Sequence, residues 1–383
     1  MDLFELSDLT RLIQSNHGPC VTIMMPTHLS GPDQEQDALR LNNLADQAQE
    51  SLSKGWLRPC QAREWLEPVR QSMEDVDFWE KRNLGLALFL KSDSFERFRL
   101  PIPLEELVLV NQRFYLKPLI RLVTGNHRFL LLCVSQNHVA LFEASEFQIQ
   151  RVHVAGLPQR IEQTLNIDEV DRGQQRHMSN RWSKGKQPSV FHGHGGVKDT
   201  HKTELTLFFH QIDEVLAPTL RHHTWPMVLA GVDYLLPILR KSLRYPNVVD
   251  VEIHGNWDYS MNSQLLERAW PIVQPWLLKD RNNACEKYHD LSKTDLTTSD
   301  PQTAIKAAFD GRVDTLFVNL EEHLWGRCDL YGQVSATHFE IQSGDDDLLD
   351  TAAAQTILHG GKVYAMNTDV MPSSASIAAL LRF

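Results

Sequence analysis

RFLLLCVSQNHVALFEA, Arg128 to Ala144, is the stretch whose reading decides the fold. An unbroken apolar run covers Phe129 to Val134, a turn signal follows at Gln136–Asn137, and a second largely apolar run covers Val139 to Glu143. That pattern is strand, tight turn, strand. QIQRVHV then alternates as a half-buried strand does, adding Ile149 to Val154. Farther on, Lys202 to Leu220 carries Leu205, Leu207, Phe208, Phe209, Ile212, Val215 and Leu216 in a broad helical stripe. PMVLAGV (Pro226 to Val232) reads as a fully apolar strand, DYLLPILRKSL as a helix kinked or restarted at Pro237, and VVDVEIHGN (Val248 to Asn256) as a closing strand. Strands alternating with helices point to an α/β layer fold, and the turn signal TGN at Thr124–Asn126 opens it. The expected central domain is therefore 124–258.

The flanks read as two more α/β domains. In 1–123, Ser7 or Asp8 caps a short first helix, and CVTIMMP (Cys20 to Pro26) is a buried strand. A helix from Pro32 places Ala38, Leu39, Leu41, Leu44, Ala45 and Ala48 on one face and stops at Gly55, and CQAREWLEPVRQSM continues with a second helix. Asn83 to Leu100 forms two strands joined near Ser92–Ser94, Leu107 to Tyr115 a further strand, and YLKPLIRLV a helical turn. In 259–383, MNSQLLERAWPIVQPWLLKDRNNACEKYHDL is a helical pattern interrupted at Pro271 and Pro275, and HLWGRCDLYG turns at Gly326. TAIKAAFDGR is a helix ended by Gly311, VDTLFVN (Val313 to Asn319) a buried strand, LLDTAAAQTILHGG a helix capped by Gly360 and Gly361, and KVYAM a strand. Asp345, Asp346 and Asp347 lie at the positive end of that helix, where carboxylates are stabilising. The order spells a compact α/β/α sandwich.

Composition narrows the function. The chain of 383 residues is 42% hydrophobic and 23% charged, as a folded soluble protein is, and its formal net charge of -11 argues against wholesale coating of nucleic acid. Five cysteines without a CxxC read as thiols of the reducing cytosol. No apolar run approaches the ~18 residues of a membrane helix, and the N-terminus lacks a signal-peptide pattern, so a cytoplasmic protein with no membrane partner is expected.

Against this acidic background one stretch reverses sign. DRGQQRHMSNRWSKGKQPSVFHGHGGVKDTHK, Asp171 to Lys202, carries Arg172, Arg176, Arg181, Lys184, Lys186, Lys198 and Lys202, with only Asp171 and Asp199 opposing them. Such a segment reads as a surface arm that neutralises phosphates without reading sequence, and Trp182 adds a stacking surface. His192, His194 and His201 are the candidate metal ligands, but no fourth ligand is evident nearby, so no metal is expected. The string GxxxxGK[ST] does not occur, and no cofactor is expected. His210, Asp213 and Glu214 share a helix with no nucleophile placed beside them and read as a polar face.

The order of segments resembles the bacterial members of the archaeo-eukaryotic peptide-chain release factor superfamily, relatives of the eukaryotic class 1 release factor and of the ribosome-rescue factor Pelota. The likeness is carried by FLLLCVSQNHVALFEA, FHGHGG with TELTLFFHQIDEVLAPTL, PMVLAGVDYLLPILRKSLRYPNVV, ERAWPIVQPWLL, AAFDGRVDTLFVN and DLLDTAAAQTILHGGKVYAM. It implies an RNase H-like middle domain, an L7Ae-like C-terminal domain, an N-terminal α/β domain particular to the bacterial group, and the ribosome or structured RNA as partner. In the classical factors a Gly-Gly-Gln loop of the middle domain positions water against peptidyl-tRNA. This sequence has no Gly-Gly-Gln, and its nearest string is Arg172-Gly173-Gln174-Gln175. Paired glycines reach backbone conformations closed to other residues, and Arg172 stands where that freedom is needed. The expectation is a non-catalytic ribosome- or RNA-associated factor, in translation stress or ribosome rescue. The alternatives are a peptidyl-tRNA hydrolase using Gln174 and a protein-interaction scaffold in a stress response that binds a protein partner.

Overall fold

The computed structural model describes residues 4–15, 18–28, 32–75, 78–79, 83–123, 128–135, 138–158, 196–257, 262–342 and 344–383; of 32–35, 74 and 196–202 it describes the backbone only. Two units result: Met1–Gly125 together with Lys279–Phe383, and Asn126–Leu278.

The first segment contains α1 (Leu6–Gln14), β1 (Cys20–Pro26), α2 (Pro32–Gly55), α3 (Pro59–Trp65), α4 (Glu67–Glu74), β2 (Gly85–Lys91), β3 (Ser94–Leu100), β4 (Leu107–Asn111) and α5 (Lys117–Val123). Its antiparallel sheet has the order β3-β2-β1-β4. Alternation along β1 and β2 sends Val21, Ile23, Met25, Leu86, Leu88 and Leu90 to one face, where Leu41, Leu44, Ala45 and Ala48 of α2 pack with α3 and α4. The other face packs aromatics edge to face, with Phe98 5.0 Å from Phe4 and Phe89 5.2 Å from Phe114.

The central unit contains β5 (Phe129–Val134), β6 (Val139–Ala144), β7 (Ile149–Val152), α6 (Gly196–Leu220), β8 (Met227–Gly231), α7 (Leu236–Ser242), β9 (Ile253–His254) and α8 (Asn262–Leu277). The sheet order is β7-β6-β5-β8-β9, antiparallel across β7-β6-β5 and parallel across β5-β8-β9. Leu130, Leu132, Val134, Met227 and Leu229 face Leu205, Phe208, Phe209, Ile212 and Leu216 of α6 and Leu236 and Leu239 of α7. Phe129, Leu131, Cys133, Val228 and Ala230 face Leu265, Ala269 and Val273 of α8. The sheet thus has a helix layer on each side, which is why its central strands read as unbroken apolar runs.

Three expectations change here. α8 runs on through Pro271 and Pro275, held by the i, i+4, i+8 burial of Leu265, Ala269 and Val273. For the same reason the central unit extends to Leu278, past the expected boundary at 258/259. The closing strand shrinks to Ile253–His254, plus a single bridge from Val248 to Met227. The guanidinium of Arg240 accounts for the loss, because it donates to the carbonyls of Val249 (2.7 Å) and Asp250 (3.2 Å) and to Glu252 (2.6 Å). Pro237 is the second residue of α7, so the helix starts there and no kink is needed.

The last segment contains α9 (Lys279–Asp290), β10 (Thr297–Thr298), α10 (Pro301–Phe309), β11 (Val313–Asn319), β12 (Trp325–Cys328), β13 (Val334–His338), β14 (Asp346–Asp347), α11 (Leu348–Leu358), β15 (Lys362–Met366) and β16 (Ile377–Leu381). One sheet has the order β10-β16-β11-β15, with Tyr288 of α9 packed on Phe317, Ala378 and Leu380 and with α10 and α11 packed together and on its strands. A second sheet, β13-β12-β14, occupies the region expected to turn at Gly326. Gly326 is instead inside β12, where a Cβ would collide with the carbonyl of Ala336 on the neighbouring strand. The turn falls at Asp329–Gly332, with Gly332 at φ +77°.

The two segments of this unit share a buried polar network. Lys117 Nζ lies 2.9 Å from Asp347 Oδ2, both side chains fully enclosed, and also donates to the carbonyl of Glu322. Asp347 caps α11 by accepting from the amide of Leu349 (3.0 Å), and accepts from Leu324 (3.3 Å) and bonds His323 Nδ1 (2.9 Å). Asn111 donates to the carbonyl of Asp345 (2.8 Å) and the amide of Leu116 to Asp350 (3.0 Å). Asp345 itself binds Arg327 (3.2 Å) and His338 (2.7 Å), so of the three acids only Asp347 is the helix cap. Burial drives the Asp347 carboxyl up, but the His323 bond and the Lys117 charge outweigh it and hold it below its ordinary range. Burial, reinforced by the charge of Asp347, pushes Asp350 up to about 8. Among the described residues, no helix is long and apolar enough to cross a membrane.

Candidate functional site at the carboxyl edge of the central sheet

Connectivity marks one edge of the central sheet. From β5 the chain moves outward through β6 to β7, and from β8 it moves the other way to β9. The switch point therefore lies between β5 and β8, and ligands of open α/β sheets sit outside the carboxyl ends of the strands at such a point. Gly231 ends β8 there, where a Cβ would stand 2.5 Å from the carbonyl of Val134. Glycine is required for the two strands to approach. Ser135 follows β5, Asp233 follows β8, and His254 ends β9.

The described elements before and after the basic stretch meet this same edge. β7 is antiparallel to β6, which is antiparallel to β5, so β7 runs parallel to β8. A crossover between parallel strands brings its helix back antiparallel to them. The chain leaves β7 at the carboxyl edge, and α6 starts from that edge and runs towards the amino end of β8. Packing of α6 onto the sheet begins at Leu205. The backbone at Lys198, His201 and Lys202 lies in the first two turns of α6. Arg172, Gln174, Arg176, Arg181, Trp182, Lys184, Lys186, His192 and His194 lie outside the described residues, as does most of the 171–202 stretch.

The described chemistry of the edge is polar and open. His254 Nδ1 lies 2.8 Å from Asp233, both side chains largely exposed. Ser135 Oγ accepts from the amide of His138 (3.0 Å), holding the β5–β6 turn. Ser135 and His254 do not form a nucleophile–base pair: β8 stands between their strands, and two strand spacings separate them by roughly 10 Å. Beyond β9, Gly255 (φ +140°) packs against Trp257, and exposed Arg268 lies 5.3 Å from that indole ring. Asp233, His254, Trp257 and Arg268 were not marked by the sequence; for the first three, positions at or just after the ends of strands were the available signal, and Arg268, inside α8, carried none. Asp213 is a scaffold residue, binding the amide of Arg244 (2.8 Å) and its Nε (2.5 Å). No group of three or more His, Cys, Asp or Glu suited to a metal ion occurs among the described residues.

Residues 129–275, which span this sheet and its helices, match the model of bacterial archaeo-eukaryotic release factor family 7. Over this segment, well under half of the chain, the protein is similar to that family. Among solved structures, an archaeal translation termination factor, aRF1, is 13% identical, with 99% of each chain covered and a TM-score of 0.25. A model of ribosome-bound archaeal Pelota and ABCE1 is 11% identical, covering 99% of this chain and 94% of that one at a TM-score of 0.39. Dom34 of S. cerevisiae, a translation termination-like factor involved in RNA quality control pathways and interacting with Hbs1, is 10% identical over 78% and 79% of the two chains at 0.36. At such scores the whole-chain overlays carry no argument, and the likeness rests on the central segment. No curated protein matches the chain.

Proposed function

We propose that this release-factor relative is a non-catalytic ribosome- or RNA-associated factor that presents its basic stretch, 171–202, from the carboxyl edge of the central sheet. The observation that supports this reading is the course of the described elements on either side: β7, which precedes the stretch in the chain, and α6, whose first turns contain its end, both meet the edge where open α/β sheets take ligands. On a protein of net charge -11, a local run of seven Lys and Arg against two Asp is an electrostatic address for phosphate. Exposed Arg268 beside Trp257 extends the cationic and aromatic character of the edge.

The strand order β7-β6-β5-β8-β9 supports an RNase H-like reading of the middle domain. The helices on the β10-β16-β11-β15 sheet support an L7Ae-like reading of 259–383 without its first helix. Hydrolysis is not part of the proposal, because Arg172-Gly173-Gln174 lacks the glycine pair. A cytoplasmic site of action follows from the same reading.

Co-sedimentation with purified ribosomes tests it, comparing the intact protein with a variant in which Arg172, Arg176, Arg181, Lys184 and Lys186 are changed to alanine. Salt-sensitive binding by the intact protein and loss in the variant is expected. Absence of binding at low salt sinks the proposal, and recovery of a stable protein partner free of rRNA favours the scaffold. Peptide release from stalled ribosomes that is lost in Gln174→Ala would establish the hydrolase instead.

A further inference from the structure

The unit formed by the first and last segments holds a cleft of about 270 Å³, distinct from the basic stretch in sequence and opposite to it in charge. At ~30 Å³ per water it has room for about nine waters, enough for one extended side chain. Its floor is apolar, with Met24, Ile102, Leu104, Leu107, Pro118 and Leu320. The polar part of its wall is dominated by acids: Glu105, Glu106 and Glu321 stand against one permanent cation, Arg121.

The acids are not equivalent. Glu106 is neutralised by Arg40 Nε at 2.5 Å, and Glu321 accepts one bond, from the Thr368 hydroxyl at 2.7 Å. Glu105 has no ion pair or hydrogen bond among the described residues. An acidic wall alone would be ordinary surface. What distinguishes this one is Tyr115, which lines the cleft while only 5% exposed. Its amide donates to Thr22, but its hydroxyl has no partner among the described residues. The ring is enclosed while the hydroxyl oxygen keeps access to the cleft, where it can take a donor from a ligand. Burial, helped by the charges of Asp347, Asp350 and Glu105, raises its pKa, so the hydroxyl keeps its proton and both lone pairs stay available to a donor.

His323 completes the wall. Its Nδ1 is committed to Asp347 at 2.9 Å, and its ring is stacked on Trp325 at 4.9 Å and 10° and lies 6.0 Å from Tyr115. The ring is thus fixed, with Nε2 as its uncommitted nitrogen. Acids on the wall, aromatic surface and a hydrocarbon floor suit a cation with an alkyl stem. A bare metal ion is disfavoured, because no metal-suited group of His, Cys, Asp or Glu occurs among the described residues.

We propose that this cleft binds an alkylammonium group, with the ammonium between Glu105, Glu321 and the Tyr115 hydroxyl and the hydrocarbon stem on the Met24–Leu107 floor. The same chemistry is offered by a lysine side chain of a partner polypeptide and by a free diamine.

Calorimetric titration of the full-length protein with N-acetyl-lysine-methylamide, cadaverine and the uncharged N-acetyl-norleucine-methylamide tests the site. Saturable binding of one or both amines, with no binding of the norleucine compound, is expected. The lysine derivative alone binding assigns the cleft to a polypeptide ligand; cadaverine binding equally well assigns it to a free amine. Tyr115→Phe should weaken binding about tenfold, the loss of a bond to a charged group. Glu105→Gln and Glu321→Gln should each weaken it about two- to fivefold. Both glutamates are exposed, so those variants remain informative if Tyr115→Phe perturbs folding. Absence of saturable amine binding, equal binding of the norleucine compound, or affinity unchanged in both glutamine variants would overturn the proposal. None of these outcomes depends on ribosome binding.

Discussion

Replacing Lys117 with methionine keeps a flexible apolar stem of similar volume and removes the charged nitrogen at the centre of the network joining the first and last segments. Two interactions disappear: the 2.9 Å pair with Asp347 and the bond to the Glu322 carbonyl. Breaking a fully buried ion pair costs about 3–5 kcal/mol, because the surviving charge stays enclosed. Here the survivor keeps His323 Nδ1 and the amides of Leu324 and Leu349, which puts the expected loss near the lower figure, about 3 kcal/mol at neutral pH. That is a large part of a typical stability of ~5–15 kcal/mol. The pH dependence has a definite sign. The folded Asp347 carboxyl lies below its ordinary value, so its contribution is present above the unfolded pKa of about 3.9 and is lost as pH falls through the folded one. Lys117→Met raises the folded pKa, and the gap between variant and parent should be widest near neutrality and close in acid. Urea unfolding followed by tryptophan fluorescence measures the loss, and hydrogen exchange at the amides of Leu116, Leu324 and Leu349 localises it. The double variant Lys117→Met, Asp347→Asn should recover much of the stability, since it strands no charge. A loss below about 1 kcal/mol, or a gap independent of pH, would refute the assignment of these two groups as a coupled buried pair.

Asp350→Asn should keep the bond from the Leu116 amide and remove a carboxyl whose folded pKa is about 8. A raised carboxyl contributes stability that is fully present below its unfolded pKa and is lost as pH rises through the folded value, so parent stability falls from about pH 4 to about pH 8 through this group. Unfolding curves across that window should be flatter for the variant, with the variant the more stable of the two in alkali. Gly231→Ala should cost roughly 1–3 kcal/mol, because its Cβ would meet the Val134 carbonyl at 2.5 Å and push β5 and β8 apart. Thermal unfolding measures that cost, with loss of exchange protection concentrated in those two strands.

Two strands covered on both faces were legible from their apolar runs. Phe129–Val134 and Val313–Asn319 lie between helix layers, and their apolar runs give their limits directly. Ile377–Leu381 is equally buried, yet IAALL is too short and alanine-rich to separate from a helix fragment. Gly326 was misread because its reason for being glycine, the Ala336 carbonyl, lies on another strand. Pro271 and Pro275 misled because propensity says nothing of the burial of Leu265, Ala269 and Val273, which carries α8 across them. Lys117 and Asp347 are 230 positions apart and Asp233 and His254 are 21, and no local pattern announces either pairing. The candidate edge was partly visible: the sign reversal at 171–202 stands out in the composition, whereas the switch point itself required the strand order.

The central claim is that the 171–202 stretch, carried at the carboxyl edge, meets RNA phosphates. The most direct measurement is the binding constant for purified ribosomes as a function of salt, for the parent and for single alanine variants at Arg172, Arg176, Arg181, Lys184 and Lys186. Each residue that contacts a phosphate should lower the slope of log K against log salt by roughly 0.7–0.9 when removed. Slopes that are unchanged in all five variants, with the parent bound, would contradict the account by moving the contact to another surface.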